Sequence, residues 1–185
     1  MLRMQRFASP PSLVDAAASR YGLREALPAD IAAVHALIRA HGPNPWNYLP
    51  EPELGAHLAR IGAGLQAVVA EHAGALVAVA TFEASDEFAC YQPVGRERAR
   101  HGHIGEVVVH GEHRGAGLGA RLLAEAIARL RLRGLREIYV ERHEENAGSA
   151  GMMRKAGFAV VDTYSDPVRR AVGSRRTAVC LHLPD

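Results

Sequence analysis

Cysteine is scarce in this chain: Cys90 and Cys180 are the only two among 185 residues. They lie far apart and outside any C-x-x-C or C-x-x-x-C pair, which argues against a disulfide framework or a thiolate zinc site and suits a reducing compartment. Aromatic residues are 5% of the chain, with a single tryptophan, Trp46, and the formal net charge is only +2. The arginines are dispersed rather than gathered in a tract, so nucleic acid is not an expected partner. Long apolar runs are missing too. No stretch approaches the ~18 residues that cross a bilayer, and no apolar signal-peptide core follows Arg3 and Arg6. The expectation is a soluble cytoplasmic protein without a membrane partner. The histidine pairs His101-x-His103 and His110-x-x-His113, and His143 beyond them, form neither H-E-x-x-H nor a Cys/His zinc spacing. No metal site is expected.

What is present is an ordinary globular composition, 48% apolar and 23% charged, without repeats or low-complexity segments. One domain is expected over residues 21–185, preceded by a loose arm over residues 1–20 that carries Pro10-Pro11 and an alanine-rich stretch. Tyr21–Ala26 reads as a short strand. Pro28-Ala29-Asp30 starts a helix whose Ile31, Val34, Leu37 and Ile38 share a face. A second short helix is expected from Pro52 to about Ile61, then two strands, Leu65–Glu71 and Leu76–Glu83, joined by His72-Ala73-Gly74. Residues 85–100 read as a polar loop with Arg96, Arg98 and Arg100. His103–His110 reads as a strand, Leu118–Arg133 as an amphipathic helix ended by Gly134, and Arg136–Glu141 as the next strand. A strand–helix–strand run of this length implies two parallel strands joined by a crossover. Asn146 caps a further helix that Gly157 ends, and strands near Phe158–Tyr164 and Thr177–Leu183 close the chain. The fold class is mixed α/β, with a twisted sheet around a central parallel crossover.

The most informative stretch runs from Val107 through Ala120: a buried strand, a basic turn, and glycines 115, 117 and 119 opening a helix. Such a turn offers backbone N–H groups and the positive end of a helix dipole to a phosphorylated ligand. Glycine lets phosphate approach the backbone without a Cβ in the way.

These residues resemble the GCN5-related N-acetyltransferase superfamily. Its pyrophosphate signature, R/Q-x-x-G-x-G/A, is matched by Arg114-Gly115-Ala116-Gly117-Leu118-Gly119. A second signature, N-x-x-A/S-x-x-(L/M)-Y-x-K-x-G-F, has its counterpart in Asn146, Ser149, Met152-Met153, Lys155 and Gly157-Phe158. The resemblance covers about Ile104 to Phe158. It implies a single-domain acetyltransferase fold and direct transfer of an acetyl group from acetyl-CoA to a primary amine of a small molecule or a protein terminus. It further implies that Arg114, Gly115, Ala116, Gly117, Leu118, Gly119 and Ala120 hold the pyrophosphate. Val107, Val108 and Val109 would pair with the pantetheine, with one N–H near Val108 or Val109 on the thioester oxygen. Asn146 and Ser149 would also meet the cofactor. Family members often form dimers, so a homodimer is compatible with the resemblance.

A carboxylate is common in the family at the position of Glu106, which makes it the candidate base, with His101 and His103 as the other candidates. The usual tyrosine of the second signature, which protonates the departing thiolate, is Met153 here. Tyr164, Tyr139 or a water could substitute and nothing in the sequence selects one; Tyr164 is carried as the candidate acid. The Trp46–Tyr48 loop is a candidate acceptor wall, and Arg96, Arg98 and Arg100 are candidates to meet an acidic acceptor. Two rival readings stay open. Met153 permits a CoA-binding module with weak or no catalysis. Gly115-x-Gly117-x-x-Ala120 followed by Glu141 also resembles a dinucleotide fingerprint, and so an oxidoreductase. Against the latter, His110–Arg114 separates strand from glycines, and Glu141 lies 26 residues after Gly115, beyond the usual ~20.

Overall fold

Strands β2 (Gln66–His72) and β3 (Ala75–Ser85) form a hairpin closed by Ala73-Gly74, both at positive φ, 49° and 81°. Two such residues give the tight turn whose twist matches that of the strands it joins. The computed structural model of the protein describes residues 20–183. The arm expected over residues 1–20 lies outside them, apart from its last residue.

The remaining strands are β1 (Gly22–Glu25), β4 (His101–Val109), β5 (Ile138–His143), β6 (Ala159–Ser165) and β7 (Arg176–His182). The helices are α1 (Ile31–His41), α2 (Glu51–Leu58), α3 (Leu118–Leu132) and α4 (Ala147–Lys155). Among the described residues the strands form one sheet in the order β1-β2-β3-β4-β5-β7-β6. Its neighbours are antiparallel except β4 and β5, the parallel pair that α3 connects. This is the expected mixed sheet with a central crossover. A doubly wound dinucleotide fold would need several parallel pairs.

Both faces of the sheet are covered, and alternation along β2 shows how. Val68 and Ala70 join the core under α3, where Leu118, Leu122, Leu123, Ala126 and Leu130 are buried. Ala67 and Val69 face the other way, onto Val34, Leu37 and Ile38 of α1 and Leu54 and Leu58 of α2. Each fully buried leucine contributes about 1.5–3 kcal/mol. Among the described residues no helix is long and apolar enough to cross a membrane.

Besides shifts of a few residues at the ends of α2, β3 and β5, three stretches differ from expectation. Pro28–Asp30 is a 3-10 turn leading into α1, held by the Leu27 N–H donating to Asp30 Oδ2 at 2.7 Å. The expected loop over residues 85–100 contains a second 3-10 turn, Ala89–Tyr91, and buries Phe88 in a small cluster with Tyr139, Val179 and Leu181. β4 starts at His101 rather than His103 because His101 is a core residue: it is fully buried, and its Nε2 accepts the Phe88 N–H at 3.0 Å.

Candidate active site

Beside β3, β4 carries an irregularity. Val109, Val108 and Val107 pair with Ala78, Val79 and Ala80, and pairing resumes at Ile104 with Phe82. Gly105 and Glu106 therefore face Thr81 alone, a β-bulge that bends the strand. Thr81 Oγ1 accepts the Glu106 N–H at 2.9 Å and lies 3.1 Å from His57 Nε2. A Cβ on Gly105 would stand 2.9 Å from that same oxygen, so glycine belongs at this point.

On its other side, β4 pairs with β5 only from Gly102–Ile138 to Ile104–Val140. β5 then continues with β7 as far as His143–Thr177, and the two parallel strands part. The His110 N–H donates to Val77 C=O at 2.8 Å, toward β3. Backbone groups alternate along a strand, so those of Val107 and Val109 turn the opposite way, into the gap. Val108 turns its backbone to β3 and its side chain into the core under α1 and α2.

At the far end of β4 lies the glycine turn. Gly115 and Gly117 have φ of +82° and +74°, and nothing lies within 4 Å of where their Cβ atoms would be. Left-handed backbone with open space in front is what close approach of an anion needs. Gly117 precedes α3, and its carbonyl takes the first intrahelical bond, from the Arg121 N–H at 3.1 Å. The N–H groups of Leu118, Gly119 and Ala120 precede that bond and have no partner in the helix. Arg114 is exposed, with Nη2 donating to His41 C=O at 3.2 Å, and Ala116 packs against the core edge. Gly119 differs from these two: a Cβ there would come within 2.5 Å of Met152 Sδ on α4, so a larger residue would have to push that side chain aside.

Where β4 and β5 part there is a cleft of about 210 Å³. Glu106 and Val107 line it from β4; Asn146, Ser149, Met152 and Met153 from the α4 region; Glu141 and Arg142 from β5. His103, Asn47, Tyr48, Arg169 and Arg170 also face it. Met152 both lines the cleft and meets Gly119, which joins the cleft to the glycine turn. Among the described residues nothing donates a hydrogen bond to the Glu106 carboxylate. Burial pushes it up to about 7, opposed by the positive charge of Arg170. Asn146 Oδ1 accepts the Ser149 N–H at 3.0 Å, capping α4 and leaving the amide NH2 unused by the cap. Met153 is buried and packs in the core beneath α3.

Other sequence candidates fall elsewhere. Tyr164 lines a neighbouring depression of about 300 Å³ with Glu87, Phe88 and Tyr91, on the far side of the Glu141–Arg169 pair that borders both cavities. Its hydroxyl donates to Glu141 Oε1 at 2.7 Å, and burial, with that carboxylate, pushes it up to about 12. The Tyr139 hydroxyl is held 2.9 Å from both Tyr91 C=O and Gln92 Oε1. His103 reaches the cleft, and burial holds its pKa below the usual imidazole value despite Glu87, Glu141 and Glu83 nearby. Of the Trp46–Tyr48 loop, Asn47 and Tyr48 line the cleft, while the Trp46 ring packs 4.6 Å from His143. Arg96 pairs with Glu137 at 2.7 Å, and Arg100 donates to Ala84 C=O, both outside the cleft. Arg169 and Arg170, in the β6–β7 loop, lie in no sequence motif.

A sheet that splits at its one parallel pair, with a glycine turn and helix N-terminus at one end of the split and a half-buried carboxyl at the other, defines an acetyltransferase-type fold. The family model described as "Acetyltransferase (GNAT) family" matches residues 31–158, and the chain belongs to that family. Its chemistry is acetyl transfer with acetyl-CoA as co-substrate. The fold is similar to that of a ribosomal-protein-alanine N-acetyltransferase from Brucella melitensis (24% identity, TM-score 0.68, covering 88% of this chain and 99% of that one). It is also similar to yncA, a putative acetyltransferase from Salmonella typhimurium crystallised with acetyl-CoA (23%, 0.65, 89% and 94%). A third similar structure is NAA60 from Arabidopsis thaliana in complex with a bisubstrate analogue (13%, 0.71, 89% and 99%). A search of curated proteins by sequence finds no match.

Proposed function

We propose that this protein transfers the acetyl group of acetyl-CoA directly to a primary amine of a small molecule. The observation that carries this reading is the gap between β4 and β5 beyond Ile104, with Glu106 beside its apex and Arg114–Ala120 at the end of β4. The free N–H groups ahead of Arg121 would take the pyrophosphate, and the open edge of Val107–Val109 would take the pantetheine amides as a substitute strand. Asn146 and Ser149, on the opposite wall, would contact the same arm.

The acceptor enters as an ammonium and gives a proton to Glu106, directly or through water. The amine lone pair attacks the thioester carbonyl carbon, and an N–H of the Val107–Val109 edge receives the developing oxyanion. As the intermediate collapses the C–S bond breaks, the nitrogen gives up its second proton to water and becomes the amide that keeps the acetyl group, and the electron pair leaves on sulfur. Met153 has no proton to offer, and Tyr164 is engaged with Glu141 beyond the cleft wall. In this reading the thiolate departs as such and takes its proton from solvent, a thiol being acidic enough for its thiolate to be a fair leaving group.

Calorimetric titration with acetyl-CoA, NADH as control, tests the cofactor half. Acetyl-CoA alone binds, and Gly117→Asp abolishes binding by setting bulk and negative charge against the phosphates. Binding of NADH instead would overturn the reading. Met153 favours one rival, a CoA-binding module without turnover; CoA release with any amine in a broad panel removes it.

A further inference from the structure

Building on the transfer reading above, we propose that the acceptor is an α-amino acid or close analogue, its carboxylate held by Arg170 while its amine faces Glu106. Arg170 is an unusual cation. It is 8% exposed, yet among the described residues no carboxylate forms an ion pair with it. Its Nε donates to Thr177 Oγ1 at 2.8 Å and its Nη1 to Trp46 C=O at 3.3 Å, both neutral acceptors. The acids near it are engaged by other groups. Asp166 accepts from Thr177 Oγ1 and pairs with Arg169 at 2.8 Å. Glu141 accepts from Tyr164 and pairs with Arg169.

Two bonds thus fix the guanidinium plane, and Nη2 with one hydrogen of Nη1 is left over. A buried cation without a direct ion pair, its nearest acids Asp166 and Glu141 already bonded to Arg169, is costly to hold, and an anion that enters beside it recovers part of that cost. Arg170 faces the same cleft as Glu106, close enough for its charge to act on that carboxyl but not within ion-pair distance. The two therefore offer a positive and a negative pole with a gap between them. An amine and a carboxylate on one carbon match such a pair of poles, and a planar guanidinium suits the two oxygens of a carboxylate. Arg142 also lines the cleft, but its Nη1 is spent on the carbonyls of His143 and Glu144, and it is not among the charges acting on Glu106.

CoA release would be followed with L-α-amino acids, with their carboxamides, with the matching decarboxylated amines and with dipeptides. The wild-type protein should prefer the acid over its amide and amine by about 10–100-fold in kcat/KM, the worth of a hydrogen-bonded charge. Arg170→Gln should erase that preference through KM for the acid, leaving KM for acetyl-CoA in place. Arg170→Lys, which keeps charge but not the fork, should fall between. Because Arg170 also braces Trp46 and Thr177, the substrate ratio on the wild-type protein decides even where the variants fold poorly. Equal rates for acids, amides and amines, or a preference for dipeptides, overturn this inference while the transfer reading stands. No CoA release with any amine removes the transfer reading, and this one with it.

Discussion

A carboxyl group that titrates near neutrality is the most consequential single residue of the cleft. Glu106 owes that value to burial, and Arg170 only partly offsets it. A base with an apparent pKa near operating pH is well placed to take an ammonium proton. The Glu106→Gln variant should therefore lose about 10²–10⁴-fold in kcat while binding acetyl-CoA as before. In the wild-type protein kcat/KM should rise with pH through about 7 as Glu106 ionises; in the variant that rise should vanish. A pH–rate profile of both proteins checks this, and an unchanged rise would place the base at another group. In the sequence Glu106 stands out through family resemblance, and Arg170 carries no signal. An arginine becomes distinctive only when its neighbours are known, and those neighbours come from residues 46, 106, 166 and 177.

At the level of elements, the bulge in β4 sets where Glu106 stands. Thr81 holds it, through a fully buried hydroxyl that accepts the Glu106 N–H. Thr81→Val keeps the shape and deletes the acceptor, leaving a backbone donor unpaired at a cost of about 1–3 kcal/mol. The melting temperature should fall, and kcat should fall more than the affinity for acetyl-CoA, because the residue moved is the base. Thr81→Ser should recover both. Equal loss of both, or a kcat that stays put, would show that Thr81 supports only the fold. This element also marks where sequence patterning reaches its limit. Val107–Val109 reads as a strand from its β-branched run, but the bulge two residues earlier has no local signal beyond Gly105. Gly119 likewise reads as part of a phosphate turn, and its close approach to Met152 on another helix exists only in the fold.

For the molecule as a whole, the same carboxyl couples function to stability. Glu106 binds its proton more tightly in the folded chain than in the unfolded one, so its contribution to stability is fully present below the ordinary carboxylate range. It is lost as pH rises through about 7, by up to about 3 kcal/mol. Glu106→Gln cannot ionise and should melt above the wild-type protein at about pH 8, and level with it at about pH 4. Calorimetric melting curves at the two pH values test this; a wild-type protein more stable than the variant at the higher pH would mean that the carboxylate is well solvated.

Local chemistry in the sequence was enough to determine the elements, their order, the helix that opens at Gly117 and the family. Apolar spacing, capping residues and glycine motifs act over a few positions, so they can be read along the chain. Only the tertiary structure decided that β4 leaves β5 after Ile104, that backbone of Val107 and Val109 rather than Val108 faces the gap, and that Tyr164 stands behind Glu141. It also decided that Arg170 lies buried without a direct ion pair in the same cleft as Glu106. Burial, strand parting and charge pairing depend on residues distant in the chain, and their energies exist only once those residues meet.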